Sequence, residues 1–224
     1  MATSGSTDFE LAVDDYIEEA FERCGLEVRT GYDLRTAKRS LNLLFADWAN
    51  RGLNRWTIVQ STVTLSQGTV EYTLDADTID ILSAVIRENA GATNQQDTTV
   101  NRIGRDTYLN LSSKLSQSKP TQYYIDRQIT PKIRVFPSPN TTYTLVIDRL
   151  TRIEDADSAS NTVDVPFRFY PCLAAGLAYY ISIKRAPQLS AGLKAVYDEE
   201  FERTADANRE RVSFRVKPAQ AYIP

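Results

Sequence analysis

The stretch WANRGLNRW, residues 48–56, joins two different textures. Before it, apolar residues recur every three or four positions; after Trp56 they alternate every second position. The first spacing is that of a helix with one buried stripe, the second that of a strand. Gly52 supplies the left-handed residue that closes a helix, which places Leu53 against Trp48 in a Schellman stop. Trp56 then anchors the first strand beside the same point. Trp48, Gly52, Leu53 and Trp56 are thus expected to form a domain junction, packed as core, that clamps strands to helices.

Working outward toward the N-terminus, the helix that ends in this stretch is predicted over about 33–51. It buries Leu34, Ala37, Leu41, Leu44, Phe45 and Trp48 and shows Arg35, Lys38, Arg39 and Arg51 outward. An earlier helix, capped by Asp8 and stopped by Gly25, carries Phe9, Ala12, Val13, Tyr16, Ile17, Ala20, Phe21 and Cys24 on its stripe. Its outer face is acidic: Glu10, Asp14, Asp15, Glu18, Glu19 and Glu22. Residues 1–8 are polar, lack the apolar core of a signal peptide and read as a disordered arm.

Toward the C-terminus, Val63 and Leu65, then Val70, Tyr72 and Leu74 across Gln67-Gly68, predict a hairpin. Ile79, Ile81, Val85 and Ile86 mark a further strand, and residues 89–99 read as a loop. A short helix around 103–111 precedes the strands QYYIDRQ, KIRVF and TYTLVIDRL. Residues 166–185 are apolar nearly all round, the mark of a buried helix, which starts at Pro166 with a kink at Pro171 or at Pro171 itself. A last helix, about 188–210, lines up Leu189, Leu193, Val196, Tyr197, Phe201 and Ala205.

Two terminal helix pairs, each needing a partner for its apolar stripe, around a β block give an α+β expectation. The N- and C-terminal pairs form an antiparallel helical bundle, residues 9–54 and 162–211. Residues 55–161 form an inserted antiparallel β-domain, sandwich or barrel, and residues 212–224 an extended tail.

Composition narrows the chemistry. The chain has 26 Lys and Arg against 29 Asp and Glu and no histidine. The net charge of -3 does not direct it to nucleic acid or an anionic membrane. Without histidine, His triads, His bases and His metal sites are out. Cys24 and Cys172 stand far apart with no Cys-x-x-Cys, which removes structural zinc and argues against a disulfide framework. Their state is left open, on apolar stripes where a thiol behaves as a small hydrophobe. No Walker A or Gly-x-Gly-x-x-Gly motif occurs. No apolar run reaches membrane-spanning length, so the expectation is a soluble protein made in a reducing compartment, without cofactor or metal.

Carboxylate chemistry survives. Asp75, Asp77 and Asp80 in LDADTID, with Asp97, are candidates for a hydrolase pair, and the first three for a calcium loop, though without its central Gly and terminal Glu; the plainer reading is turn and strand-capping residues. Tyr123, Tyr124 and Arg127 are the best nucleic-acid candidates, though strand alternation puts one Tyr in the core. The charge pattern has two readings. Glu18, Glu19 and Glu22 on the first helix and Arg35, Lys38 and Arg39 on the second are solvated faces and intramolecular pairs, or they meet between identical subunits in a ring. The tail ends in Phe214, Val216, Tyr222 and Ile223 with no helix to bury them, which favours a partner surface.

Taken in succession, several motifs resemble the head-to-tail adaptor proteins of short-tailed bacteriophages. They are Trp48-Ala-Asn-Arg-Gly52-Leu53 leading to Trp56; Arg102-Ile103-x-Arg105-x-x-Tyr108; Lys119-Pro120-Thr121-x-Tyr123-Tyr124; Ile133-x-Val135-Phe136-Pro137-x-Pro139; and Val165-Pro166 leading to Leu173-x-x-Gly176-Leu177-Ala178-Tyr179-Tyr180. Lys119 departs from the small residue or Gly common at that point. The resemblance implies a virion structural protein at the head–tail junction, made in the host bacterial cytoplasm and not an enzyme. It implies a twelve-copy ring joining the portal protein to the tail nozzle, with packaged DNA passing through without sequence-specific binding. Portal contact is expected through the C-terminal helix and tail, here Arg209, Arg211, Phe214, Arg215, Lys217, Tyr222 and Ile223. The rival expectations are a tail-associated cell-wall hydrolase using paired carboxylates and a β-type carbohydrate-binding module.

Overall fold

The computed structural model describes residues 5–6, 9–52 and 55–208. Its helices are α1 (Val13–Arg23), α2 (Gly31–Asn50), α3 (Arg105–Leu109), α4 (Tyr170–Arg185) and α5 (Ser190–Ala207). Its strands are β1 (Ile58–Leu65), β2 (Glu71–Thr73), β3 (Thr78–Glu88), β4 (Gln96–Thr99) and β5 (Asn101–Arg102), then β6 (Gln117–Ser118), β7 (Gln122–Asp126), β8 (Lys132–Phe136), β9 (Ser138–Pro139) and β10 (Tyr143–Thr151). The fold is α+β, as expected. The chain divides into two compact units, one from residues up to Ser40 and from Pro166 onward, the other Leu41–Val165. The first division falls inside α2, earlier than the 54/55 boundary expected. It groups Leu41, Leu44, Phe45 and Trp48 with the strands.

In the first unit, α1 buries Val13, Tyr16, Ile17, Ala20 and Phe21. It starts a turn later than the Phe9 spacing suggested, because the Asp15 carboxylate accepts the Ala12 N–H at 2.9 Å and fixes the helix start there. Phe9 is exposed, with ring contacts to Phe167 and Tyr170. Asp8 lies outside the described residues. Gly25, at φ +67°, ends α1 in a full Schellman motif: its N–H reaches Glu22 O and the Leu26 N–H reaches Phe21 O. α2 begins at Gly31, two residues before the expected start. There Thr30 and Asp33 cap each other, with Thr30 N–H and Oγ1–H donating to Asp33 Oδ2 and Asp33 N–H to Thr30 Oγ1.

α4 resolves the proline alternative. A 3-10 turn over Phe167–Phe169 runs into Tyr170, and Pro171 occupies the second helical position, where no N–H is needed. Its buried residues, Cys172 to Ala178 with Ile181 and Ser182, cover every direction, and α1 and α5 both pack on it. Both cysteines are buried free thiols; Cys24 Sγ–H donates to Ala178 O at 3.4 Å, and burial raises its pKa. α5 is less embedded than its stripe suggested: Tyr197 and Thr204 are buried, while Val196, and Leu189 in the 3-10 turn just before it, are exposed.

In the second unit, two four-stranded sheets, ordered β1-β10-β3-β4 and β2-β8-β7-β5, feed one apolar cluster. Leu65, Ile81, Ala84, Ile86, Leu145 and Ile147 come from the first sheet, and Tyr123, Ile125, Ile133 and Val135 from the second. That is a sandwich; neither sheet closes into a barrel among the described residues. Most pairings are antiparallel, but β5–β7 and β6–β9 are parallel.

Two strand expectations are corrected. β1 and β2 do not form a hairpin: β1 pairs with β10 and β2 with β8. Ser66–Val70 is a corner between sheets, where Gly68 (φ +75°) donates its N–H to Pro139 O. Its shape is held by Tyr72, whose hydroxyl takes the Ser66 N–H at 2.8 Å and lies within 2.9 Å of Thr69 O. Residues 96–99 form edge strand β4 on β3 instead of closing the loop. The polar sequence Gln-Asp-Thr-Thr hides it, because only an edge strand with both faces wet can be built from such residues.

At the junction, Gly52 has φ +72° and its N–H reaches Ala49 O at 3.2 Å, so the glycine stop forms. Leu53 lies outside the described residues. Trp48 is fully buried beside Phe45, and the Trp56 indole N–H donates to Asp164 O at 2.9 Å.

Candidate assembly surfaces

On α1, Glu18 and Glu22 stand one turn apart and both are exposed. Glu19, expected beside them, is held within the helix by Arg23 at 2.7 Å. On α2, Arg35 and Arg39 stand one turn apart and are exposed, and Lys38 is half-buried with an interaction of its own. At the C-terminal end of α4, Lys184 donates to Ser40 Oγ at 2.7 Å. Burial, and then the nearby Arg39 charge, push the Lys184 ammonium below its ordinary range. Sequence reasoning missed Lys184 because it closes a helix read as core.

The seven tail residues expected at the portal contact, Arg209, Arg211, Phe214, Arg215, Lys217, Tyr222 and Ile223, lie outside the described residues. The helix before them pairs part of its charge internally, with Lys194–Asp198, Arg203–Glu199 and Arg203–Glu200 pairs of 2.9–3.0 Å.

The candidate catalytic carboxylates are each occupied. Asp75 and Asp77 share Arg149, and Asp80 takes both Arg102 and Arg127. Asp97 is bound by Arg87 through two hydrogen bonds, which hold its carboxyl below the usual range. A general acid needs the opposite shift. Among the described residues no group of three or more acidic, Cys or His residues is arranged to hold a metal ion.

The tyrosine candidates are also structural. Tyr123 and Tyr124 are both buried, where alternation alone would place one inside. Tyr124 stacks on Tyr108 at 5.6 Å, and α3 forms the second cover that strand periodicity does not reveal. Arg127 is turned to Asp80. Lys119, the departure from the resemblance, reaches Glu88 Oε2 and Thr98 Oγ1, both at 2.9 Å, and ties the start of β7 to β3 and β4.

The charged surfaces on α1 and α2 are the features of this chain that suit assembly with other proteins, and the family comparison points the same way. The family model described as SU10 adaptor protein matches residues 10–219. The chain belongs to this family. It is a phage structural adaptor, located in the virion, that interacts with other head and tail proteins. A search among curated proteins finds no match. No helix of the adaptor's described residues is long and apolar enough to cross a membrane.

Proposed function

We propose that the adaptor is the head-to-tail connector of a short-tailed phage. Twelve copies form a ring between the portal and the tail nozzle, and DNA passes through it without sequence-specific contact. The terminal helix pairs make up the bundle of the ring, and the inserted β-domain faces the nozzle. Residues from Arg209 onward dock on the portal. The observation that carries this reading is the extent of the family match, which runs through both compact units and past Asn208 to residue 219. The overall charge of -3 supports a conduit role, since a lining rich in Lys and Arg would grip phosphates.

The test is mass by light scattering of the chain alone and after mixing with purified portal rings. A ring-sized increment is expected on the portal, and its loss in a chain truncated after Asn208. A lasting monomer in both conditions overturns the ring. Full occupancy by the truncated chain overturns the docking assignment.

A further inference from the structure

The first unit holds two like-charged helix faces that its own residues do not neutralise. The side chains of Glu18 and Glu22 on α1, and of Arg35 and Arg39 on α2, have no hydrogen-bond or ion-pair partner among the described residues. Like charges one helical turn apart repel each other. The same unit does pair opposite charges elsewhere, in Glu19–Arg23 on α1 and in the three pairs on α5. Lys184 adds a third positive charge next to Arg39 with only a hydroxyl to bond. The nearby Asp33 carboxylate is already engaged by Thr30 and Arg185. The intramolecular pairing that the sequence left open is therefore absent for these residues.

We propose that the α1 face of one copy, through Glu18 and Glu22, docks on the Arg35–Arg39–Lys184 face of the next copy. This rests on the ring reading and names the contact that builds it. A surface that meets a different, complementary surface on an identical chain is heterologous, the class of contact that closes rings. A second copy satisfies both faces at once. A nucleic-acid phosphate backbone would satisfy the basic face and leave the acidic one facing like charge.

The test uses the full chain on portal rings, with mass as readout and circular dichroism to confirm folding. The variants are Glu18→Lys with Glu22→Lys, and Arg35→Glu with Arg39→Glu. Wild type assembles, and each reversed variant alone weakens by at least about tenfold, because like faces then meet at every junction. A one-to-one mixture of the two variants restores assembly, because alternating copies again pair opposite faces. The neutral variant Glu18→Gln with Glu22→Gln, which keeps helix propensity, weakens assembly in the same direction.

Reversed variants that assemble like wild type overturn the docking. So does a mixture of folded variants that fails to assemble. Retained portal assembly with lost duplex-DNA binding in the Arg35→Glu, Arg39→Glu variant overturns it in favour of a phosphate-binding face. Failure of wild type to form a ring on the portal strikes the ring reading instead.

Discussion

Tyr16 lies fully buried on α1 with its ring edge-on to Tyr170 at 5.7 Å, yet its hydroxyl has no partner among the described residues. Burial, with Tyr170 and Asp15 adding to it, raises the phenol's pKa far above its ordinary value. An unsatisfied buried hydroxyl costs about 1–3 kcal/mol, so removing it while keeping the ring should not harm the fold. Tyr16→Phe is expected to leave the melting temperature unchanged or raise it by a few degrees in a thermal scan. A clear drop would show a partner for the hydroxyl. Asp33 is the opposite case. The hydrogen bond from Thr30 lowers its pKa most; burial opposes that, and the Arg185 charge adds to the lowering, so the net direction is down. A depressed folded pKa contributes stability that is present above the unfolded value, about 3.9, and is lost as pH falls through the folded one. Asp33→Asn should therefore melt lower than wild type at pH 7, with the gap closing below about pH 4. An equal gap at both pH values would exclude the linkage.

At the scale of elements, the corner between β1 and β2 shows how one side chain holds a change of sheet. Tyr72 sits on β2, and its hydroxyl closes back on Ser66 and Thr69 in the corner before it. Tyr72→Phe removes these bonds without altering ring packing and should cost about 1 kcal/mol, read as a lower denaturation midpoint. No change in that midpoint would mean that Gly68 and its bond to Pro139 hold the corner alone. This corner also marks where sequence reading stopped. Gln67-Gly68 between alternating strands looks the same whether the strands pair or part, because alternation fixes a strand's faces and not its neighbour. The helices were legible because their 3.6 period reports burial directly, down to Gly25 and Gly52 as stops. The start of α1 was not, since the Asp15 cap competes with an apolar spacing that runs on to Phe9. On the candidate surfaces, Glu18, Glu22, Arg35 and Arg39 were legible as charge patterns. Glu19 and Lys184 were not, because their status depends on Arg23, Ser40 and Arg39, which only packing brings near.

At the scale of the whole molecule, the two units draw on the chain differently. The first combines the chain's beginning and end, and the second is one continuous run, Leu41–Val165. Within that run, β10 lies between β1 and β3, and the edges of β1 and β3 do not touch. Thr57 and Thr151 close the far end by donating each hydroxyl to the other's carbonyl at 2.8 and 2.9 Å. The strand at the heart of this sheet is therefore the last one made. On the ribosome, β1 and the edge of β3 that faces away from β4 must wait unpaired until residues 143–151 emerge, a non-local arrangement that folds slowly and leaves strands open to aggregation. Stalled nascent chains ending at Asn140 should be digested readily by protease, while chains carrying residue 165 clear of the exit tunnel should resist it. Protection already present at Asn140 would show that β1 and β3 find another partner first. The order of synthesis thus sets the period in which a chaperone counts most: the interval before β10 arrives.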